Sequence, residues 1–204
     1  ESIPKIINIL EEGKSIAIVS DAGYPLISDP GQWLVKEVIE HDFPVVSVSG
    51  ANAAMNALVA SGLSTQHYMF YGFLDAKSSK RKKQLSEIEK FPYTIIFYEA
   101  PHRIEKTIKL CLEVLGDRKA VLARELTKQH EEYIRGTLGE IAELDESTLI
   151  GEMVIVVEKA KTIAKTLSND EIAAILKEKL DRRKEARNDG HSCEDEKGVS
   201  HASR

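Results

Sequence analysis

The 204 residues of this chain are 42% hydrophobic and carry a formal net charge of −5 at pH 7. That apolar content is enough for one large domain or two small ones, and the negative charge argues against a protein that coats nucleic acid over its whole surface. The longest apolar stretches are only as long as a strand and no charged-then-apolar leader opens the chain, so we expect no membrane span, no signal peptide and a cytoplasmic location.

The first part of the chain alternates helix and strand patterns. Helices are predicted over 2–12, 32–41 and 51–61, and strands over 15–19 and 45–49. Because strand, loop and helix recur in this order, we expect a parallel sheet with right-handed crossovers.

The second part repeats the α/β theme. Strands are predicted over 68–74, 94–99, 119–125, 131–135 and 151–158, and helices through Leu85 and Ile88 and over 101–115, 138–144 and 168–187. We therefore divide the chain into the remainder of an N-terminal α/β domain (1–65), a second α/β domain (66–160), a helical extension (161–187) and a disordered tail (188–204).

Two cysteines, Cys111 in a helix pattern and Cys193 in the polar tail, lack metal-ligand spacing and lie in very different environments. We expect both to be free thiols. No other cluster has the spacing of a metal site, so no metal is expected.

The loop of residues 20–31 is the most informative segment, because it holds two carboxylates, two hydroxyls, two glycines and two prolines between a strand and a helix. Such loops lie at the carboxyl ends of strands, where ligands bind in open α/β sheets. A tight turn at Asp21 and Gly23, and a helix cap at Ser28 or Asp29 with Pro30 at the first helical position, explain only part of it. We expect ligand binding here as well.

Four separated motifs occur in one order. They are residues 20–31, Phe97-Tyr98-Glu99 with His102-Arg103, residues 123–128, and Gly151-Glu152-Met153. Together they resemble the bacterial ribosomal RNA small subunit methyltransferase I family, over roughly residues 2–158, and four motifs in register are far more specific than one.

The resemblance implies the tetrapyrrole methylase type of fold: two α/β domains, the first with a parallel sheet and the second with a mixed sheet, in a homodimer. It also implies that S-adenosylmethionine is the methyl donor and that a cytidine ribose 2′-hydroxyl in small-subunit ribosomal RNA is the acceptor. The expected partner is therefore that RNA or the ribosomal subunit.

The sequence departs from the family pattern in three places. The family begins with a strand and loop that are absent before Glu1, so we expect an amino-terminal truncation. Tyr24 stands where a small residue is usual and would narrow the pocket, and residues 49–52 replace a Pro-Gly-Pro-Ser-like turn.

The resemblance places the cofactor in a cleft between the two domains. The implied cofactor-binding residues are Asp21, Ala22, Gly23, Ser49, Gly50, Ala53, Tyr98 and Met153. Without the resemblance, Ala53 and Met153 are ordinary packing residues and Tyr98 caps the core with its hydroxyl in water.

A ribose hydroxyl is a poor nucleophile, so a base or an orienting group is expected. Glu99, Glu125 and Lys128 are the candidate catalytic residues, whereas His102 is expected to be a capping or surface residue. Each glutamate is equally well explained as one half of a structural ion pair with Arg103 or Arg124.

Residues 77–83 form a basic segment in a chain whose net charge is negative. Five positive charges in seven residues fit contact with RNA phosphates. The predicted RNA-binding residues are Lys77, Lys80, Arg81, Lys82, Lys83 and Arg103. Aromatic residues of the strand before it are able to stack on bases, although such residues more often pack a core.

Two other functions are consistent with the sequence. One is a methyltransferase acting on a small molecule of the tetrapyrrole type, which has little need for clustered cations, and the other is a non-catalytic fragment. A nucleotide hydrolase and a dehydrogenase are disfavoured, because neither glycine-rich phosphate motif is present.

Overall fold

The computed structural model describes residues 2–145, 149–161, 173 and 176–181. Its helices are α1 (Ser2–Glu11), α2 (Gln32–Glu40), α3 (Ala53–Ser61), α4 (Ser78–Glu87), α5 (Ile104–Leu115) and α6 (Leu138–Ala142). Its strands are β1 (Tyr68–Phe73), β2 (Thr94–Glu99), β3 (Lys119–Arg124), β4 (Glu132–Thr137) and β5 (Met153–Val157). A single 3₁₀ turn, Pro101–Arg103, precedes α5.

The five strands form one mixed sheet in the order β1-β2-β5-β3-β4. Only β1 and β2 are parallel, and the other neighbours are antiparallel. β5 lies at the centre and is buried along its whole length, as its continuous apolar sequence predicts. The predicted α/β class and mixed sheet are confirmed.

Both faces of the sheet are covered by helices, because side chains along a strand point alternately to the two sides. Ile95 and Phe97 join the larger core beneath α4, α5 and α6. Ile96 points the other way and packs with Ala57 and Leu58 of α3. The small residues of α3 let it lie close to the sheet, which brings its N-terminus to the sheet edge.

The strands predicted over 15–19 and 45–49 are not formed among the described residues. Val19, Val46 and Val48 are 84%, 82% and 83% exposed, and no backbone hydrogen bond ties either segment to a neighbour in the described part of the chain. Since a strand is defined by its pairing, the apolar pattern alone did not suffice, and these two strand predictions are wrong here.

The start of α2 also differs from expectation. Gly31, with φ 125°, is its N-cap, and no side chain caps the helix, so neither Ser28 nor Asp29 does so and Pro30 lies outside it. Asn52 is the cap of α3, accepting a hydrogen bond from the Met55 amide at 3.0 Å. Gly62 is the C-cap of α3, in the left-handed conformation, and Gly116 is the C-cap of α5.

Residues up to Lys161 form one compact unit, and those from Thr162 form a second. In the second unit residues 173 and 176–181 are helical and exposed. The rest of the helix predicted over 168–187, the tail over 188–204 and Cys193 lie outside the described residues. The division at residue 65 remains a prediction. None of the helices in the described part is both long and apolar enough to cross a bilayer.

Candidate functional site

The ends of several strands meet at one edge of the sheet. β5 starts where β2 and β3 end, so that Met153 lies opposite Glu99 on one side and Arg124 on the other. Phe73, at the end of β1, is in register with Tyr98. The sheet topology therefore brings together the motif residues that the sequence separates.

A cleft of about 720 Å³ opens at this edge. Its walls are most of residues 18–30, the turn and first residues of α3, the ends of β1 and β2, and residues 126–128 and 152–154. This volume lies within the range of about 300–1,000 Å³ that is usual for small-molecule sites.

The loop of residues 20–31 folds back on itself beside the cleft. The Ser20 hydroxyl donates to the carbonyl oxygens of Ala22 at 3.1 Å and Gly23 at 3.2 Å. Gly23 has φ 72°, a conformation that favours glycine. The Asp21 carboxylate makes no hydrogen bond or ion pair with the described residues, so it is available to a ligand.

Two tyrosine hydroxyls hold the neighbouring turn in place. The Gly50 amide donates to the Tyr24 hydroxyl at 3.0 Å, and the Ala54 amide donates to the Tyr98 hydroxyl at 3.2 Å. Burial raises the pKa of Tyr98, and the Ala54 N–H offsets this in part. Tyr24 therefore joins two loops, a contact that the sequence did not suggest.

Most of the predicted cofactor-binding residues line the cleft. Those that do are Asp21, Ala22, Gly23, Ala53, Tyr98 and Met153. Ser49 and Gly50 do not line it, and Gly50 serves the Tyr24 contact instead. Sequence reasoning missed Phe73 and Thr127, which only the strand register and the path of the loop reveal.

Glu99 is buried in a network of donors, with its side chain fully inaccessible. Thr107 Oγ1 donates to Glu99 Oε2 at 2.5 Å, and the Ala100 amide donates to Oε1 at 2.9 Å. Arg103 Nη2 donates to Oε2 at 3.3 Å, whereas Nε, 3.1 Å from Oε1, makes an ion pair that is not aligned as a hydrogen bond. The alternative of a structural ion pair therefore fits Glu99 better than the role of a base.

Arg81 extends this network from the basic segment. Its Nη1 donates to Thr107 Oγ1 at 2.8 Å, its Nε to the Asp75 carbonyl at 3.1 Å and its Nη2 to the Ala76 carbonyl at 3.2 Å. Arg81 is only 5% exposed, which contradicts its predicted contact with RNA. Arg103 is turned inward in the same way, since Nη2 also donates to the Leu74 carbonyl at 2.7 Å.

The lysines of the basic segment remain at the surface. Lys80 lies 3.7 Å from Asp75 and Lys82 lies 2.5 Å from Glu113. Lys77 and Lys83 form no ion pair with the described residues. The exposed positive charge of the basic segment is thus carried by lysines on α4 and just before it. His102, predicted as a capping or surface residue, is exposed.

Lys128 lines the cleft, and the Glu125 carboxylate pairs with its ammonium. Glu125 Oε1 accepts from Lys128 Nζ at 3.1 Å and from the Glu152 amide at 2.9 Å. The Glu152 N–H, followed by the Lys128 ammonium, holds the pKa of Glu125 below its usual value, and the Glu125 carboxylate raises the pKa of Lys128. Both groups are therefore charged at neutral pH. The Lys128 ammonium has no lone pair that can accept a proton, and the Glu125 carboxylate is a weaker base than an unpaired one.

Metal-ligating side chains do not cluster in the described part of the chain: no group of three or more His, Cys, Asp or Glu residues there could hold an ion. The polar groups of the cleft are isolated carboxylates, hydroxyls and backbone amides. They suit an organic ligand with hydrogen-bonding edges.

Comparison with known proteins identifies the family. The model of the Tetrapyrrole (Corrin/Porphyrin) Methylases matches residues 2–142. The chain belongs to this family.

Curated relatives extend the match. The ribosomal RNA small subunit methyltransferase I of Bacillus subtilis (strain 168) is 50% identical over 155 residues, which are 76% of this chain and 53% of the relative. The protein of that name from Streptococcus pyogenes serotype M18 is 44% identical over 182 residues, covering 87% of this chain and 63% of the relative. The resemblance seen in the motifs is confirmed, and the chain spans between half and two thirds of these relatives.

Solved structures agree at the level of the fold. The methyltransferase CobJ superposes with a TM-score of 0.58 at 17% identity, covering 78% of this chain and 70% of CobJ. Cobalt precorrin-4 methyltransferase CbiF gives 0.55 at 16% identity, with the same coverage. The tetrapyrrole methylase fold of this chain is therefore established.

Proposed function

We propose that this chain is part of an S-adenosylmethionine-dependent methyltransferase that methylates a cytidine ribose 2′-hydroxyl in small-subunit ribosomal RNA. The observation that carries the proposal is the cleft of about 720 Å³, into which the four family motifs converge. The relatives at 44–50% identity, each named ribosomal RNA small subunit methyltransferase I, supply the substrate class.

The residues of the cleft fit S-adenosylmethionine. Asp21 offers an unengaged carboxylate to an amine or to ribose hydroxyls. Phe73 is half-exposed beside Tyr98, with ring centroids 5.7 Å apart, and provides an apolar surface for a planar ring. Gly23 and Ala53 add little bulk where a ligand must approach the backbone.

When bound, S-adenosylmethionine supplies an electrophilic methyl group on a sulfonium. The chain's own contribution is positioning, since methyl, sulfur and attacking oxygen must be held nearly in line. Tyr98 and Tyr24 fix the turn before α3, and the loop of residues 20–31 forms the facing wall. Well-aligned positioning of this kind is worth up to about 7–11 kcal/mol of a reaction barrier.

Of the three candidate catalytic residues, we assign substrate contact to Lys128. Its side chain is 47% exposed at the cleft and its ammonium is charged, so it suits an RNA phosphate next to the target ribose. Glu99 is instead assigned to the buried network.

The RNA surface is proposed to consist of the lysines around α4, with Lys77 and Lys83 the most available. A cytoplasmic location and a homodimer complete the proposal, following from the relatives' substrate and the family resemblance. If the basic surface binds RNA, affinity will fall steeply as salt is raised.

The first test is isothermal titration of the 204-residue chain with S-adenosylmethionine, alongside Asp21→Ala, Gly23→Val and the control Glu40→Ala. Gly23→Val forces a branched side chain into φ 72°, whereas Glu40 lies outside the cleft. We expect saturable binding that the first two variants lose and the control keeps. Methyl transfer to small ribosomal subunits then tests the substrate.

No binding by a folded chain would favour the non-catalytic fragment. Methylation of a tetrapyrrole precursor, with none of RNA, would favour the small-molecule enzyme. Each result contradicts the proposal in a different way.

A further inference from the structure

Glu125 occupies space that only a glycine leaves open. A Cβ atom on Gly151 would lie 2.2 Å from Glu125 Oε1 and 2.4 Å from its Cδ, far inside contact distance. Gly151 also has φ 93°, which an L side chain rarely adopts. The carboxylate of Glu125 therefore lies directly against the chain that leads into β5.

The backbone on both sides is tied to Glu125. The Glu125 amide donates to the Glu152 carbonyl at 3.0 Å, and the Glu152 amide returns a hydrogen bond to Glu125 Oε1 at 2.9 Å. The Lys128 amide donates to the Glu125 carbonyl at 3.0 Å, and Lys128 Nζ reaches the same carboxylate at 3.1 Å. One side chain thus connects residues 125–128 to the entry of β5.

The backbone of residues 125–128 is strained. Glu125 and Thr127 have φ 48° and 64°, values that cost non-glycine residues free energy and persist only where surrounding contacts hold them. A second carboxylate contributes, since Glu131 accepts from the Thr127 amide at 2.6 Å. This strained segment is also a wall of the cleft, formed by residues 126–128.

We propose that Glu125 is a positioning residue that holds residues 126–128 as the wall of the cofactor cleft, and that it is not the base that deprotonates the ribose hydroxyl. The inference rests on the proposed function for the identity of the ligand. It rests on the contacts of Glu125 for the mechanism. Gly151 is required because any side chain there would displace the carboxylate.

Three variants of the 204-residue chain separate positioning from base catalysis. Glu125→Ala removes the carboxylate, Gly151→Ala displaces it, and Glu125→Gln keeps an oxygen that can accept from the Glu152 amide while losing the ion pair. Gly136→Ala is a control for the steric clash alone, since its Cβ would also meet a glutamate oxygen, that of Glu140 at 2.6 Å, away from the cleft and without a positive φ.

Titration with S-adenosylmethionine gives the first readout. We expect Glu125→Ala and Gly151→Ala to weaken binding by about tenfold or more, because ordering a loose wall consumes affinity. Glu125→Gln should recover most of the loss, and Gly136→Ala should bind within about threefold of the unchanged chain. In methyl transfer the loss should fall on the KM for S-adenosylmethionine rather than on kcat.

Hydrogen exchange followed by mass spectrometry gives a readout that needs no ligand. The amides of Thr127, Lys128 and Glu152 should exchange about tenfold faster or more in Glu125→Ala and Gly151→Ala, with the amides of β2 unchanged. Unchanged exchange and unchanged affinity would overturn the inference. So would a Glu125→Gln variant that binds normally and has lost kcat, since that is the signature of a base.

Failure of the proposed function has a different appearance. If the unchanged chain does not bind S-adenosylmethionine, that ligand is wrong for both proposals. Faster exchange in Glu125→Ala and Gly151→Ala would still establish that Glu125 holds residues 126–128 in place.

Discussion

Removing the Glu99 carboxylate tests whether this motif residue is structural. Glu99→Ala deletes an acceptor that Thr107, the Ala100 amide and Arg103 all use, in a side chain with no exposure. Arg81, linked through Thr107, would lose the same compensating charge. Breaking a buried ion pair by removing one partner costs about 3–5 kcal/mol, so we expect a loss of that size in the free energy of unfolding.

Urea unfolding followed by far-ultraviolet circular dichroism measures this loss. Trp33 is 71% exposed and lies far from the network in sequence, so its fluorescence is a poor probe. Glu113→Ala is the control, because Glu113 pairs with Lys82 at the surface with about half of each side chain exposed. An exposed pair contributes about 1 kcal/mol or less, and the control should stay within that range.

The conservative change sharpens the distinction. Glu99→Gln keeps the size of the side chain but loses the charge and turns one acceptor into a donor, so it should cost about 1–3 kcal/mol of stability. If Glu99→Ala lowered the unfolding free energy by less than about 1 kcal/mol while methyl transfer was abolished, Glu99 would be a base and our reasoning would be refuted.

Three further predictions follow from single contacts. Cys111 is fully buried, and burial raises its pKa to about 12. A thiol reagent at pH 8 should therefore leave Cys111 unmodified in the folded chain and label it in urea. Rapid labelling of the folded chain would contradict the burial of this side chain. Tyr98→Phe removes the acceptor of the Ala54 amide, so it should cost about 1 kcal/mol in urea unfolding and weaken S-adenosylmethionine binding. Equal affinity would show that the Tyr98 hydroxyl has no role in shaping the cleft. The Gly139 amide donates to the Asp117 carboxylate and holds its pKa below the ordinary value of 3.8. The ionised carboxylate therefore stabilises the folded chain above that pH, and this contribution is lost as the pH falls through the folded-state pKa. Asp117→Asn should accordingly reduce the loss of stability measured below about pH 4.

The second part of the fold was predictable because its local patterns agree with its tertiary contacts. The strand over 94–99 has the predicted bounds, and its apolar side chains are buried on both faces as a central strand requires. The helix predicted over 138–144 forms a shorter α6, which begins with a capping box between Thr137 and Glu140. Here periodicity, turn residues and burial all favour one structure.

The segments over 15–19 and 45–49 show the limit of periodicity. Their valines have the composition of buried strands, yet pairing depends on a hydrogen-bonded neighbour, which a local pattern does not reveal. The start of α2 was also not predictable. Gly31 is its N-cap and the preceding loop has positive φ at Leu26 and Ser28, a path that the Asp29-Pro30 pair does not predict.

The candidate site was predictable in its members and not in their roles. Glu99 and Glu125 both follow an apolar strand and both have a basic residue nearby, so the sequence treats them alike. In the structure Glu99 accepts from three donors, whereas Glu125 holds a strained loop and lies against Gly151. The two glutamates have different roles because different groups surround them: Thr107 and Arg103 contact Glu99, whereas Lys128 and the backbone at Gly151 contact Glu125. The antiparallel insertion of β5 between β2 and β3 brings the Gly151 backbone to this edge of the sheet.

This arrangement bears on how such a cleft would accelerate methyl transfer. Both motif glutamates are already hydrogen-bonded as acceptors, and the bonds that hold the Glu125 carboxylate lower its affinity for a proton. A group that is held in this way contributes by fixing the walls around the reactants. Because positioning alone can supply a large part of the acceleration of an in-line transfer, two carboxylates that hold the walls of the cleft rigid are consistent with the proposed reaction.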